Sequence, residues 1–316
     1  MNRIQTTLKQ KAKETHTALW IIEKDYALSY LLSALFKVSL FTSSLVLKGG
    51  TALKKAYFQD YRFSEDLDFS TRVEITAADI HDGIDTAVSI MEQDLQEREP
   101  FFIRSEPLIL REPHPGKQIA YIVRVQFPYH REPMCRLKVE ITVDEPILIP
   151  PETRPILHNY EETISTRIKT YHLAEIIAEK YRALLQSLDQ LQKKGWGANR
   201  VCRDYYDLWS ILKRVDLSNH NIPALLDKKS VVRGVKIEST DQFFDKALLG
   251  VANNEWDKLL IPFIPHQVSW EPFVRNCNHS RKFYGFQKHF DAHPWSFFQH
   301  LILRKNKATP RMRGAS

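Results

Sequence analysis

Leu19, Ile22, Tyr26, Tyr30 and Leu31 recur at three- and four-residue spacing, which predicts a helix from about His16 to Lys37. A short apolar piece, Leu45-Val46-Leu47, then leads into Gly49-Gly50 and a helix over about Thr51 to Gln59. Strands are predicted around Leu67–Phe69, Phe102–Leu110, Ile119–Phe127 and Leu137–Val143. In the last of these, Leu137, Val139, Ile141 and Val143 alternate with Arg136, Lys138, Glu140 and Thr142, giving one apolar and one polar face.

The pattern changes after Val143. Pro146, Pro150, Pro151 and Pro155 crowd the segment EPILIPPETRP, too many prolines for a helix or a central strand, so a domain boundary is expected there. Beyond it the chain reads as helical, with strong helices over about Tyr171 to Gln192 and Val201 to Val215. The expectation is an α+β first domain over 1–150 with a small sheet, a helical domain over 151–304, and a disordered basic tail over 305–316.

Composition narrows the class. Of 316 residues, 43% are hydrophobic and 26% charged, a globular mix that excludes low-complexity and collagen-like chains. No apolar run approaches the length of a bilayer span, and the first residues are basic without an apolar signal core. Three cysteines with no CxxC pair (Cys135, Cys202 and Cys277) argue against a disulfide framework or a cysteine zinc site. A cytoplasmic protein with no membrane partner is expected. The net charge of +7 suits a phosphate-bearing partner, although the basic residues are widely spread. The twelve histidines are scattered without HExxH spacing, and His289 and His293, four apart, stand beside Phe290 and Trp295 in a packing context. No GxSxG nucleophile setting occurs.

The stretch LVLKGGTALKKAYFQDYRFSEDLDFS, residues 45–70, carries the chemistry. Two glycines before a helix let the backbone approach a ligand closely, and Thr51 adds a hydroxyl; the other reading is a plain strand-to-helix turn. The segment is neither a P-loop nor a GxGxxG turn. Asp66 and Asp68, two apart on a strand, share a face, and adjacent carboxylates are most readily tolerated around a hard divalent cation. Were the Glu140 strand beside them, a third carboxylate would complete a Mg²⁺ site; the alternative is a solvated strand edge and an outward surface glutamate. Lys180 falls within an apolar stripe that includes Ile176, Ile177, Tyr181 and Leu184, so it either faces a carboxylate, phosphate or water, or snorkels at a domain seam. Asp204 is placed at the rim of the next helix's core side, and Asp207 farther out as a first-turn acid.

Together these pieces resemble the AbiEii/AbiGii toxin family of nucleotidyltransferases. Gly49-Gly50-Thr51-x-Leu53-x-Lys55 and Arg62-x-Ser64-x-Asp66-Leu67-Asp68 look like its first two motifs. Glu179-Lys180 is similar to the third and Arg203-Asp204-x-x-Asp207 to the fourth, and Glu23-Lys24-Asp25-Tyr26 also fits the family. The resemblance spans roughly residues 16 to 260. It implies a DNA-polymerase-β-like nucleotidyltransferase fold with a helical C-terminal domain. Gly49, Gly50, Thr51, Lys55, Ser64 and Lys180 would then bind the nucleotide. Asp66 and Asp68, with Glu140 in the place of the third carboxylate, would bind Mg²⁺ or Mn²⁺, and Asp204 would be a second acid of the catalytic centre. Family members are toxins of bacterial toxin–antitoxin and phage-defence systems, and the MenT-type enzymes add nucleotides to tRNA acceptor ends, blocking translation. A cognate antitoxin is therefore an expected partner, alongside an NTP and an RNA acceptor such as tRNA. Transfer to a protein hydroxyl and a binding module without turnover remain the alternatives; the presence of both Asp66 and Asp68 speaks against the latter, and the positive charge leans toward RNA.

Overall fold

The computed structural model describes residues 3–109 and 117–265; expectations for the tail and for Cys277, His289, His293 and Trp295 lie outside them. Among the described residues the chain divides into two units, 3–172 with 261–265, and 173–260.

The first unit begins with α1 (Arg3–Thr15), α2 (Leu19–Lys37) and α3 (Ser39–Ser44). Strand β1 (Leu45–Lys48) runs straight into a short helix α4 (Gly49–Ala52), which continues as a wider π turn over Leu53–Tyr57. Then come β2 (Asp66–Thr71), α5 (Ala77–Gln96), β3 (Phe102–Pro107), β4 (Gln118–Gln126), β5 (Cys135–Thr142), β6 (Glu152–Pro155) and β7 (Arg167–Thr170). Besides the short α3, helices α1 and α5 are additional to the predicted set. The second has clear local causes: a Thr76–Asp79 capping box starts it, and Ile80, Ile84, Ala87, Met91 and Leu95 bury one face.

Among the described residues all seven strands form one sheet in the order β3-β4-β5-β2-β1-β7-β6. The pairings are antiparallel except β2 with β5 and β1 with β7, so the sheet is mixed. Its apolar face, including Leu47, Leu67, Phe69, Val123, Val139 and Ile141, is fully buried. Helix α2 packs on β2, β5 and β7, and α5 on α2 and β3, which is why α2 is buried on nearly every side. The opposite face of β2 and β5 carries the polar alternates.

The proline-rich segment does not end this unit. The chain returns through β6 and β7 to the same sheet, and the division falls after His172 instead of after Pro150. Proline is compatible with that return because β6 is the outermost strand, where Pro155 costs no ladder hydrogen bond on its outer side.

The second unit consists, among its described residues, of α6 (Leu173–Lys194), α7 (Val201–Arg214), α8 (Ile222–Val232), α9 (Lys246–Glu255) and short helical turns. Helix α6 packs against α7, α8 and α9, burying the stripe Ile176, Ile177, Tyr181, Leu184, Leu185 and Leu188. Tyr205 of α7 donates its buried hydroxyl to the Phe243 carbonyl at 2.6 Å.

Candidate active site

Strand register assembles the acidic face. Asp68 is the Cα partner of Lys48 on one side and of Glu140 on the other, and Asp66 is the partner of Lys138. Partners on neighbouring strands project to the same side of a sheet. Asp66, Asp68, Glu140, Lys138 and Lys48 therefore share the face away from α2 and α5, and the two aspartates are half-buried there. Alternation predicted that Glu140 points to a polar face; that its strand lies next to β2 follows only from the parallel β2–β5 pairing.

Two glycines shape the end of β1. Gly49 adopts φ +73°, and a Cβ on it would lie 2.8 Å from Asp68 Oδ2, so the Asp68 carboxylate rests against bare backbone. A Cβ on Gly50 would meet the Arg62 guanidinium at 2.6 Å. The turn is thus packed between an acid and a base from the motif that follows it.

The neighbouring motif residues position this turn. Thr51 is 1% exposed; its hydroxyl is 2.8 Å from Ser64 Oγ and donates to the Asp66 carbonyl, so it pins α4 to the start of β2. Thr51 and Ser64 thereby hold the cradle in shape. Lys55, expected at the nucleotide, is instead 1% exposed with its ammonium 2.7 Å from Asp25 of α2. The physical reason is charge compensation: a buried ammonium needs an acid, and the Asp25 carboxylate and carbonyl of α2 supply it.

Glu140 lies 2.8 Å from Lys138 Nζ on its own strand. Among the described residues no three His, Cys, Asp or Glu side chains stand close enough together to hold an ion as they are placed. The donors are nevertheless of the right kind. Asp66, Asp68 and Glu140 supply hard carboxylate oxygens from one face, as a Mg²⁺ or Mn²⁺ ion requires, with Glu140 shared with Lys138. Lys138 was missing from the expected site set, although the strand alternation already put it beside Glu140.

In the second unit, Lys180 reaches Asp204 at 2.7 Å and Asp207 at 2.8 Å, so of the readings open to it the carboxylate partner is the one found. Asp207 is not an outlying first-turn acid: it is fully buried, with the Lys180 ammonium among its partners. Another lysine, the fully buried Lys229 of α8, lies 2.8 Å from Glu175 and 3.2 Å from Glu179 of α6. Arg203 donates to the Leu259 carbonyl at 2.8 Å.

A sheet face with three carboxylates on two adjacent strands, beside a glycine turn, has the donor chemistry of a cation-assisted enzyme site. Residues 30–282 match the family model described as nucleotidyl transferase AbiEii toxin, type IV TA system. That match covers well over half of the chain, which therefore belongs to this family of nucleotidyltransferase toxins from type IV toxin–antitoxin systems. No curated protein matches the sequence. Membership implies a nucleotide substrate and an antitoxin partner. No described helix is long and apolar enough to cross a membrane.

Proposed function

We propose that this chain is a Mg²⁺-dependent nucleotidyltransferase toxin that moves NMP from an NTP to an RNA acceptor, the tRNA 3′ end, and so blocks translation. The observation that carries the reading is the register of β2 and β5, which puts Asp66, Asp68 and Glu140 on one face next to Gly49. On the same reading the first unit is a DNA-polymerase-β-like nucleotidyltransferase fold.

When bound, the divalent ion would neutralise charge between these carboxylates and the triphosphate and make the acceptor hydroxyl a better nucleophile. Asp66 and Asp68 would hold it. The bare backbone at Gly49 and Gly50 lets the Asp68 carboxylate and the Arg62 guanidinium close in on this turn, where a triphosphate would meet them, while Thr51 and Ser64 keep the turn in place. In the reaction a bond forms from the acceptor oxygen to the α-phosphorus, the bond to pyrophosphate breaks, and the hydroxyl proton passes to a carboxylate of this face. The family resemblance assigns Lys180 to the phosphates and Asp204 to the catalytic centre.

The test is incubation of the protein with Mg²⁺, each radiolabelled NTP in turn and total tRNA, with Asp66→Asn in parallel. Label on tRNA with the native protein alone is the expected result. Label on protein would transfer the same chemistry to a different acceptor. No label on either, with NTP still bound by calorimetry, would sink the transferase reading.

A further inference from the structure

The face that carries the carboxylates continues across β5, β4 and β3, and there its character changes sign. Arg136 of β5 is the Cα partner of Arg124 on β4, and Arg124 is the partner of Arg104 on β3. Register therefore lines up three arginines across three neighbouring strands. They share the Asp66–Asp68 face, because Arg136, Lys138 and Glu140 alternate along one side of β5. Like charges directly opposite one another destabilise a sheet. One carboxylate offsets them: Glu106 binds Arg124 Nε at 2.9 Å and Nη2 at 2.8 Å. Arg104 and Arg136 are exposed and make no ion pair with the described residues. Glu106 is held below its ordinary value first by the Arg124 hydrogen bond, then by the fields of Arg124, Arg104 and Arg136, which agrees with all three converging on it. Phe102 stands two residues before Arg104 on the same face and is 63% exposed on the outermost strand.

A row of three guanidiniums with a single carboxylate among them and an exposed aromatic ring at its end is the chemistry that receives a polyanion bearing flat bases. Arginine holds phosphates by forked hydrogen bonds, and aromatic rings stack unpaired bases. The row spans two strand spacings, about 10 Å, which suits neighbouring phosphates of one strand better than a duplex groove. Arg136 lies four residues from Glu140 along β5, about 13 Å away, so a strand on the arginines has its end within a few nucleotides of the carboxylates.

We propose that the single-stranded end of the acceptor RNA docks on this face, its phosphates on Arg136, Arg124 and Arg104 and a base on Phe102. The inference rests on reading the carboxylate face as the transfer site, and it adds the path by which the acceptor reaches it. Arg124 is both the centre of the row and, through Glu106, its anchor to β3.

The test uses the full chain with Arg104→Glu and Arg136→Glu combined, and with both arginines changed to Lys. Both residues are exposed and outside the Gly49–Asp68 cradle, so NTP binding with Mg²⁺, read by calorimetry, should not change. Binding of fluorescent total tRNA and of a short single-stranded RNA should weaken about tenfold or more in the Glu variant. Its log–log salt slope should fall by about 1.4, at about 0.7 per lost phosphate contact. The Lys variant should keep the slope while losing part of the affinity. Equal RNA affinity and slope in the native protein and the Glu variant would overturn the proposal. So would a charge reversal that releases an acidic partner protein while sparing RNA, since the face would then be a protein interface. Arginine-dependent RNA binding without any nucleotide transfer would support the path while refuting the transferase reading. Transfer with an unaltered KM for tRNA in the Glu variant would do the reverse.

Discussion

At the scale of single residues, the candidate site is a balance of like and unlike charges held by strand register. Asp66 and Asp68 repel each other across two positions of β2. Asp66→Asn is therefore expected to abolish transfer, a loss of roughly a hundredfold or more, while folding stability changes by no more than about 0.5 kcal/mol or rises. Label transfer to tRNA and a urea melt read the two effects separately. Full activity in Asp66→Asn would remove this carboxylate from the metal site. Lys138 makes a second, independent test. Because it lies 2.8 Å from Glu140, it competes with a cation for that carboxylate. Lys138→Gln should tighten Mn²⁺ binding, measured by titration in the presence of NTP; weaker or unchanged binding would show that Glu140 takes no part in holding the metal.

At the scale of elements, buried charge stitches helices together. Lys180 joins α6 to two acids one turn apart on α7, and Lys229 joins α8 to Glu175 and Glu179 one turn apart on α6. Buried pairs of this sort add little over a well-packed apolar alternative, yet removing one partner strands the other. Lys180→Ala removes an ion-pair partner from the fully buried Asp207 and should cost about 3–5 kcal/mol in urea denaturation. Asp204→Asn should cost less, because Lys180 keeps Asp207. A Lys180→Ala protein as stable as the native one would mean that the lysine is held for the nucleotide alone. The same logic explains Lys55, whose ion pair with Asp25 fastens the turn after Gly49 to α2.

At the scale of the whole chain, acid should loosen the first unit. Burial raises the Glu162 carboxyl, but the His158 ring 3.9 Å away and hydrogen bonds from Tyr26 and Tyr30 outweigh it and bring the group from 4.5 down to about 2. Burial likewise works against Asp25, and the Lys55 and Lys54 charges with hydrogen bonds from Lys55 and Tyr160 leave it below its ordinary value. Folded values below the unfolded ones mean stabilisation that is complete above about pH 4.5 and lost as pH falls toward 2. Denaturant midpoints should drop steeply between pH 5 and about 3, and Glu162→Gln should flatten that slope. An equally steep fall in Glu162→Gln would assign the acid sensitivity to other groups.

What was legible in the sequence was local. Alternation located β5, helical spacing located α2, α6 and α7, and the spacing of Gly49-Gly50 and Asp66-Leu67-Asp68 marked the acidic turn. These patterns are written by neighbours two to four residues apart, where backbone period alone sets which side chains share a face. The same locality explains the proline segment: four prolines mark a break, but only pairing with a distant strand shows that the chain rejoins the sheet through β6 and β7. Pairing partners also decided the site. That β5 lies parallel to β2, putting Glu140 beside Asp68 and Lys138 beside Asp66, is a long-range choice that no local period encodes. Lys55 and Asp207, polar in sequence, became buried partners because helix packing determined which faces met. The row of Arg104, Arg124 and Arg136 has the same origin, since three scattered residues become neighbours only when three strands take one register.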